Sequence, residues 1–360
     1  MKKIFAFLLL ACMVFSLAAC GAAPAAPAEQ PAEAPAAEPA EAPAAEPEAP
    51  AAAEYQLGLG VSLNMDSSDT NNAQVDATTA AVVLDAEGKI VCARIDVAQN
   101  KMDVTDGEVD TEAAFLTKFE KGYDYNMVKF SDATLEWFEQ AAAFEEYVVG
   151  KTAAEVEGME TVTNEEGHQV TTDEALYASC SISISEFKEA VVKACNDEQG
   201  MSFTAAGPFT LGLAINSTAD ESTAATAEED GVVKMYSEYG AVVVGEDGTI
   251  LAALTDATQP QIKINTDGEI VETVFKGTKR ELKEDYNMVK FSDATLEWYE
   301  QAKNFVDYVI GKTADELSAT ETVINEEGHQ VFADESLYAG VSISVDGMIN
   351  VIVKAVGNAR

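Results

Sequence analysis

Short apolar runs separated by turn-forming sequences open the globular part of the chain, a pattern typical of antiparallel strands. Runs at residues 80–84 and 89–97 flank Asp-Ala-Glu-Gly, and runs at 241–244 and 249–254 flank Gly-Glu-Asp-Gly. These pairs predict β-hairpins, because Gly and Asp supply the backbone conformations of tight turns. A further Thr-Asp-Gly-Glu turn at residues 105–108 and its later counterpart predict a second hairpin. We therefore expect an antiparallel meander of four or five strands.

The hydrophobic period then changes to that of a helix. The apolar residues at helical spacing are Trp137, Ala141, Phe144 and Val148, and then Trp298, Ala302, Phe305 and Val309. Ser131 is expected to cap the first of these helices. Thr152 and Thr313 each begin a capping box for a short second helix, and Ser183 and Ser344 precede a last one. Strands followed by helices predict an α+β fold with helices packed on one face of the sheet.

The whole pattern occurs twice in the chain. Residues 125–137 and 286–298 carry the same thirteen residues, YNMVKFSDATLEW, and NEEGHQV occurs at both 164–170 and 325–331. A repeat of roughly 150 residues has the size of a domain. We therefore predict two homologous α+β domains, and positions that stay alike in both copies mark the residues to inspect.

The N-terminus has the features of a targeting segment. Lys2 and Lys3 precede an apolar stretch at 4–17 that is short for a membrane span. The following Leu-Ala-Ala-Cys-Gly resembles the lipobox of bacterial lipoproteins, which implies cleavage before Cys20 and acylation of its thiol. The competing interpretation is an ordinary secretory signal with an unrelated cysteine. Two or three acyl chains would anchor the protein at the extracytoplasmic face of the bacterial cell membrane.

Residues 21–54 have the composition of a disordered stalk. They hold eight of the chain's ten prolines, with alanine and glutamate making up most of the rest. Such a segment cannot bury a core, and it extends to roughly 100 Å as a spacer. The predicted divisions are a signal peptide at 1–19, a lipid anchor and stalk at 20–54, and repeat domains at 55–201 and 202–360.

Charge and cysteine content exclude several classes of partner and of site. A formal net charge of −41 excludes nucleic acid and anionic lipid surfaces as partners. Cys92, Cys180 and Cys195 have no cysteine counterparts in the second repeat, so we interpret them as small buried residues. One disulfide among them is the alternative. No Cys-x-x-Cys, P-loop, G-x-S-x-G or H-E-x-x-H sequence is present.

Residues 178–183 (ASCSIS) and 339–344 (AGVSIS), each after a Trp-bearing helix and before a final helix, resemble a motif of the FMN-binding domain of extracytoplasmic redox proteins. That motif is Asp, two residues, then Ser/Thr-Gly-Ala-Thr/Ser, and its last hydroxyl carries the flavin phosphate. The resemblance places Ser181 and Ser342 at the acceptor position and Gly340 at the glycine. It implies FMN as a cofactor. The alternative role of both serines is to cap the following helix.

This sequence departs from the motif in places that bear on flavin attachment. The motif's aspartate would fall at Ala175 and Ser336, and its glycine is Ser179 in the first repeat. These departures argue against covalent attachment and leave two alternatives, noncovalent flavin and a flavin-free scaffold.

The other polar candidates are His168 and His329, the chain's two histidines, both in NEEGHQV. Each could accept a proton or bind a ligand, but Asn-Glu-Glu-Gly is first a hairpin turn. One histidine per repeat without a second ligand is a poor zinc site, so no metal is expected. Trp137 and Trp298 are either core residues or stacking surfaces for a flavin or sugar, and helical spacing favours the core.

The sequence predicts a cell-surface lipoprotein with two tandem FMN-binding-like domains. We expect a flavin-dependent electron-transfer or redox-accessory role with a redox partner, and no catalysis of its own. The alternative is a noncatalytic binding module for a small ligand or an envelope polymer, with two tandem sites that gain avidity.

Overall fold

A computed structural model describes residues 52–360, which belong to one compact unit. Cys20, the predicted signal peptide and nearly all of the stalk lie outside the described residues. The predicted α+β class is confirmed, since antiparallel sheets and helices alternate along the chain. Within this range no helix combines the length and apolar character that a membrane crossing requires.

The first repeat builds a four-stranded antiparallel sheet in the spatial order β3-β2-β1-β6. Its strands are β1 (Ala53–Asn64), β2 (Asn72–Leu84), β3 (Ile90–Asp103) and β6 (Met201–Ala205). A separate hairpin consists of β4 (Thr161–Thr163) and β5 (Gln169–Thr171). The turn between β4 and β5 is Asn-Glu-Glu-Gly, as the sequence predicts.

The second repeat has two three-stranded sheets in place of the single four-stranded one. One sheet contains β7 (Phe209–Thr218), β9 (Tyr236–Gly245) and β10 (Ile250–Thr258), in the order β10-β9-β7. The other contains β8 (Gly231–Lys234), β11 (Gln261–Ile264) and β12 (Ile270–Val274), in the order β12-β11-β8. The hairpin of β13 (Thr322–Ile324) and β14 (Gln330–Phe332) repeats that of the first half.

Six α-helices in each repeat accompany the strands. In the first repeat they are α1 (Lys118–Lys121), α2 (Met127–Phe130), α3 (Trp137–Val148), α4 (Ala153–Glu157), α5 (Glu174–Tyr177) and α6 (Ser185–Cys195). In the second they are α7 (Lys279–Leu282), α8 (Met288–Phe291), α9 (Trp298–Val309), α10 (Ala314–Ser318), α11 (Glu335–Tyr338) and α12 (Asp346–Gly357). Helices α3 and α6 cover one face of the first sheet, and α9 and α12 cover the equivalent face of the second.

The predicted helical faces are confirmed, but the predicted start of the Trp-bearing helix is wrong. Trp137 and Phe144 are buried on the sheet, as are their counterparts. Helix α3 begins at Trp137, where Glu136 forms a capping box with Glu139. Ser131 instead ends α2, because its hydroxyl donates to the Met127 carbonyl oxygen. The capping boxes at Thr152 and Thr313 are both present.

The second predicted hairpin forms in only one repeat. In the second repeat, β11 and β12 pair across an Asp-Gly turn. In the first, residues Thr105–Gly107 form a single 3-10 turn that no strand follows before α1. The carbonyl oxygen of Gly107 accepts a hydrogen bond of 2.8 Å from the amide of Ala225. This turn is therefore bound by a loop of the other repeat instead of starting a strand.

The three cysteines of the described residues are free thiols. Cys180 is buried in the core of the first repeat, and Cys92 and Cys195 are half-buried. Burial raises the pKa of the Cys180 and Cys195 thiols to about 12. The interpretation as small buried residues is confirmed for Cys180, whereas Cys92 and Cys195 are only half-buried, and the disulfide alternative is wrong.

The two repeats share an apolar layer between their sheets. Leu57, Leu59 and Val83 of the first sheet pack in one cluster with Leu211 and Tyr239 of the second. A second cluster joins the far ends of the sheets, with Ala73, Val75 and Met102 against Val233, Met235 and Ile262. The repeats thus form a four-layer arrangement of helices, sheet, sheet and helices. A domain boundary at residue 202 stays a prediction.

Glycines in the central strands let the outer helices approach closely. A Cβ atom on Gly58 would lie 1.9 Å from the carbonyl oxygen of Ala194 in α6. A Cβ atom on Gly212 would lie 2.0 Å from the carbonyl oxygen of Ala355 in α12. The Leu-Gly-Leu sequences at 57–59 and 211–213 therefore face both ways. Their leucines pack in the layer between the sheets, and the glycine lies directly under a helix.

Reciprocal ion pairs connect the repeats with approximate two-fold symmetry. Lys193 of α6 lies 3.2 Å from Glu281, and Lys354 of α12 lies 2.7 Å from Glu120. Each lysine also donates to a carbonyl oxygen of the first strand of its own repeat. The interface between repeats is thus isologous, like that of a symmetric dimer.

We predict that a truncation in the shared layer destabilises both repeats together. Leu211→Ala removes a fully buried side chain, which costs about 2.7–5 kcal/mol. The chain has two tryptophans, one per repeat, so Trp298→Phe and Trp137→Phe backgrounds report the repeats separately. In urea, both single-tryptophan proteins should show the same lowered midpoint. A Trp137 transition that Leu211→Ala leaves in place would contradict the shared layer.

Candidate functional site

Ser181 and Ser342 lie in the segments that lead from α5 to α6 and from α11 to α12. The amide and hydroxyl of Ser181 both donate to Oε1 of Gln140, at 2.8 and 3.2 Å. Ser342 makes the same two bonds to Gln301, also at 2.8 and 3.2 Å. Each serine is half-buried and held against the Trp-bearing helix, and neither caps the helix that follows it.

Gly340 and the histidines lie apart from this contact. The Gly340 carbonyl oxygen accepts a hydrogen bond of 2.9 Å from Asn304. His168 and His329 follow the exposed turns of the two small hairpins, and each donates its amide to an asparagine side chain of the turn. The His168 side chain is 57% exposed, with Glu166 at 3.8 Å. Both histidines therefore have the surroundings of turn residues.

A buried glutamine connects each serine to the loop before the Trp-bearing helix. Nε2 of Gln140 donates to the Leu135 carbonyl oxygen at 3.0 Å and lies 3.3 Å from the Met127 sulfur. The Glu136 carboxylate accepts the Met127 amide at 2.7 Å. The second repeat reproduces these bonds with Gln301 and Glu297 in the same roles. The identical thirteen-residue block is thus held in one conformation in both repeats.

A lysine lies over two aromatic rings at the same end of each repeat. Nζ of Lys118 is 5.2 Å from the ring centre of Tyr125 and 5.7 Å from that of Trp137. Nζ of Lys279 is 5.0 Å from Tyr286 and 5.3 Å from Trp298. The tryptophans are buried and the tyrosines half-buried, so each tryptophan is a core residue that also forms the floor of a cationic aromatic cage.

A buried aspartate positions each lysine. Asp96, on edge strand β3, accepts the amide of Phe119, the residue after Lys118, at 3.1 Å. Asp256, on β10, accepts the amide of Arg280, the residue after Lys279, at 3.0 Å. Burial raises the pKa of both carboxyl groups to about 6. The sheet edge therefore holds the short helices α1 and α7 in place.

These residues form one continuous row in each repeat, which we call the cage row. In the first repeat the cage row consists of Lys118, Tyr125, Met127, Glu136, Trp137, Gln140 and Ser181. In the second it consists of Lys279, Tyr286, Met288, Glu297, Trp298, Gln301 and Ser342. Every member is the same residue type in both repeats, although adjacent residues such as Phe119 and Arg280 differ.

Sequence reasoning found only part of the cage row. The lysines, glutamines and aspartates belong to no known motif and were missed. Identity between the two copies was the available signal, since Lys118 and Gln140 match Lys279 and Gln301. Their proximity to Ser181 and Ser342 depends on the fold and could not be seen in the sequence.

The cage row of the first repeat combines a half-buried ammonium group on Lys118, a half-buried ring on Tyr125 and the half-buried hydroxyl of Ser181. This combination suits a planar aromatic anion, because ring faces stack and the ammonium balances negative charge. No three His, Cys, Asp or Glu side chains converge as a metal site within residues 52–360.

An exposed apolar tip lies beside each cage row, within the identical block. Phe130 is 76% exposed and Phe291 is 77% exposed, at the ends of α2 and α8. Lys129 and Lys290 extend over these rings at 4.8 and 4.9 Å. The same large apolar side chain is thus exposed at the same place in both repeats.

Comparison with known proteins gives one partial match. Over 117 residues the chain is 33% identical to a chlorophenol reductase of Desulfitobacterium hafniense, covering 28% of this chain and 36% of that protein. The chain thus spans about a third of the length of that relative. No protein-family model and no solved structure matches the chain.

We predict that Asp96→Asn changes how stability depends on pH. The raised pKa in the folded state means that the wild type loses stability as pH rises from the unfolded value near 3.8 through about 6. The variant lacks this loss, so its free energy of unfolding should rise relative to that of the wild type between pH 4.5 and pH 7.5. Each unit of pKa difference corresponds to about 1.4 kcal/mol.

Asp103→Asn is the matched control for this measurement. Hydrogen bonds from Thr105 lower the pKa of exposed Asp103, so its contribution is present at neutral pH and is lost on acidification. The folded-state pKa of Asp103 and its unfolded value near 3.8 both lie below pH 4.5, so the Asp103 variant and the wild type should have parallel stability profiles between pH 4.5 and pH 7.5 and differ in slope only in more acidic solution. Parallel pH profiles for Asp96→Asn and wild type would show that the buried carboxyl does not titrate as described.

Proposed function

We propose that this protein is an extracytoplasmic, lipid-anchored redox-accessory protein that binds FMN noncovalently at a cage row. The repeated cage row is the observation that carries the proposal. A bound flavin would supply electron transfer to a redox partner. The side chains of the chain would bind and orient it, and the buried tryptophan would back the site.

The chemistry of the row fits the two halves of the cofactor. The ammonium of Lys118 suits the flavin phosphate, and the ring of Tyr125 suits the isoalloxazine. The partial similarity to a reductase supports a redox role. The resemblance of residues 178–183 to the FMN-binding motif independently directs attention to the same end of the repeat.

The surroundings of Ser181 favour noncovalent binding. Its hydroxyl is engaged by the neutral amide of Gln140, and Ala175 stands where the motif has aspartate. The adjacent acid, Asp173, accepts the amides of Ala175 and Leu176 as the N-cap of α5. No carboxylate is thus available at the motif position to assist phosphate transfer to the serine.

We predict that the intact protein binds FMN and that the caged lysines are required. Protein from a native-like host should show visible flavin absorbance that is released on denaturation, and stripped protein should regain it by dialysis against FMN. Lys118→Met/Lys279→Met removes both ammonium groups and should weaken FMN binding by at least about tenfold.

Lys129→Met/Lys290→Met provides the matched control. It removes the same charge from the same part of the chain, but these lysines lie over the exposed Phe130 and Phe291 rings. FMN affinity should stay within a factor of about two. A stripped wild type that takes up no FMN, or equal losses in both double variants, would refute the proposal.

Binding to an envelope polymer is the second candidate, and the exposed Phe130 and Phe291 favour it. Two identical apolar tips on one rigid unit give avidity for a repeating ligand.

We predict that, if this function holds, the protein cosediments with purified peptidoglycan. The double variant Phe130→Ala/Phe291→Ala should then reduce the bound fraction by at least about tenfold, and each single variant should retain weak binding through its remaining tip. Val162→Ala/Val323→Ala, at exposed positions on the small hairpins, is the control. Equal binding by both variants would exclude the tips.

A further inference from the structure

The two cage rows are alike, but what covers them differs. In the first repeat Val61 pairs with Thr79, and in the second Ile215 pairs with Tyr239. Because Val61 and Ile215 are equivalent, Thr79 and Tyr239 occupy equivalent positions. Counting back along the strands, Asp76 of β2 occupies the position that Tyr236 occupies in β9. Thr78 likewise corresponds to Glu238.

In the second repeat, these positions close the cage. The ring centre of Tyr236 is 4.9 Å from Nζ of Lys279, which gives the ammonium a third aromatic wall. The hydroxyl of Tyr236 donates to Glu238 at 3.5 Å. Lys279 is left only 7% exposed, and its burial lowers its pKa to about 8. The amine has an aromatic enclosure, with little surface for a ligand.

The closed cage is supported by a matching change in α12. A Cβ atom on Gly347 would lie 2.0 Å from the Glu238 carboxylate, so glycine is required for Glu238 to occupy this place. The first repeat has Glu186 at the position of Gly347 and Thr78 at that of Glu238. The two substitutions are complementary, which marks the closure as a consistent feature of the second repeat.

The first repeat lacks this covering side chain. Asp76 is too short to reach as Tyr236 does, and Lys118 is half-buried instead of buried. Oδ2 of Asp76 accepts a hydrogen bond of 2.6 Å from Gln74, but Oδ1 is buried without a partner.

We propose that only the first repeat binds the flavin, and that the residue at the Asp76/Tyr236 position decides which cage is open. This inference rests on the proposed function, and it adds the stoichiometry and the residue that controls it. The second repeat then completes the shared apolar layer and keeps its cage closed around its own tyrosine.

Equilibrium dialysis of the stripped full-length protein against FMN tests the proposal. The wild type should bind one FMN per chain. Lys118→Met should lose that binding, and Lys279→Met should retain it within a factor of about two. Asp76→Tyr, which copies the second repeat into the first, should abolish binding, while Tyr236→Asp/Glu238→Thr should raise the ratio to two.

Circular dichroism and the two tryptophan signals establish that each variant is folded. Because Lys118→Met and Lys279→Met are the same change in equivalent places, their comparison holds even if an exchanged tyrosine perturbs packing. Two FMN per wild-type chain, or loss of binding in Lys279→Met with Lys118→Met unaffected, would refute the inference while the proposed function stands. No FMN uptake at all would remove both.

Discussion

The burial of one sheet against the other is the constraint on which this structure depends. Each repeat covers only one face of its sheet with helices, so the opposite face, with side chains such as Leu57 and Leu211, needs a partner. The other repeat provides that partner through the same set of positions. Burial of this apolar area from both sides stabilises the fold by about 25 cal/mol per Å² removed from water. The reciprocal Lys193–Glu281 and Lys354–Glu120 pairs lie at the rim and add orientation more than energy.

This arrangement leaves the outer end of each sheet free to carry a site. The edge strand supplies a buried aspartate, the aspartate fixes a short helix, and that helix holds a lysine over the tyrosine and tryptophan of the identical block. Duplication then allows the copies to diverge without loss of the scaffold. The residues of the cage row stay the same in both repeats. The equivalent positions beside it differ, because Tyr236 covers Lys279 whereas Asp76 does not cover Lys118.

The sequence predicts elements better than it predicts contacts. Period and turn chemistry located the strands, the Trp-bearing helices and both small hairpins, because these depend on neighbours within a few residues. The start of α3 was missed because Glu136 caps it in place of Ser131. The first-repeat hairpin at residues 105–108 failed because Gly107 is bound by Ala225 from the other repeat. The pairing of Gln140 with Ser181 is also nonlocal, so identity between the copies could mark these residues but could not show that they lie together.

The dependence of each repeat on the other is tested most directly by producing residues 52–205 alone. Sedimentation and chemical unfolding would then show whether one repeat can cover its own inner sheet face. We expect a chain that is either unfolded or self-associated through that face, since Leu57, Leu59 and Val83 lose their partners. A monomer that unfolds cooperatively, with the same midpoint as residues 52–360, would contradict the shared layer and everything derived from it.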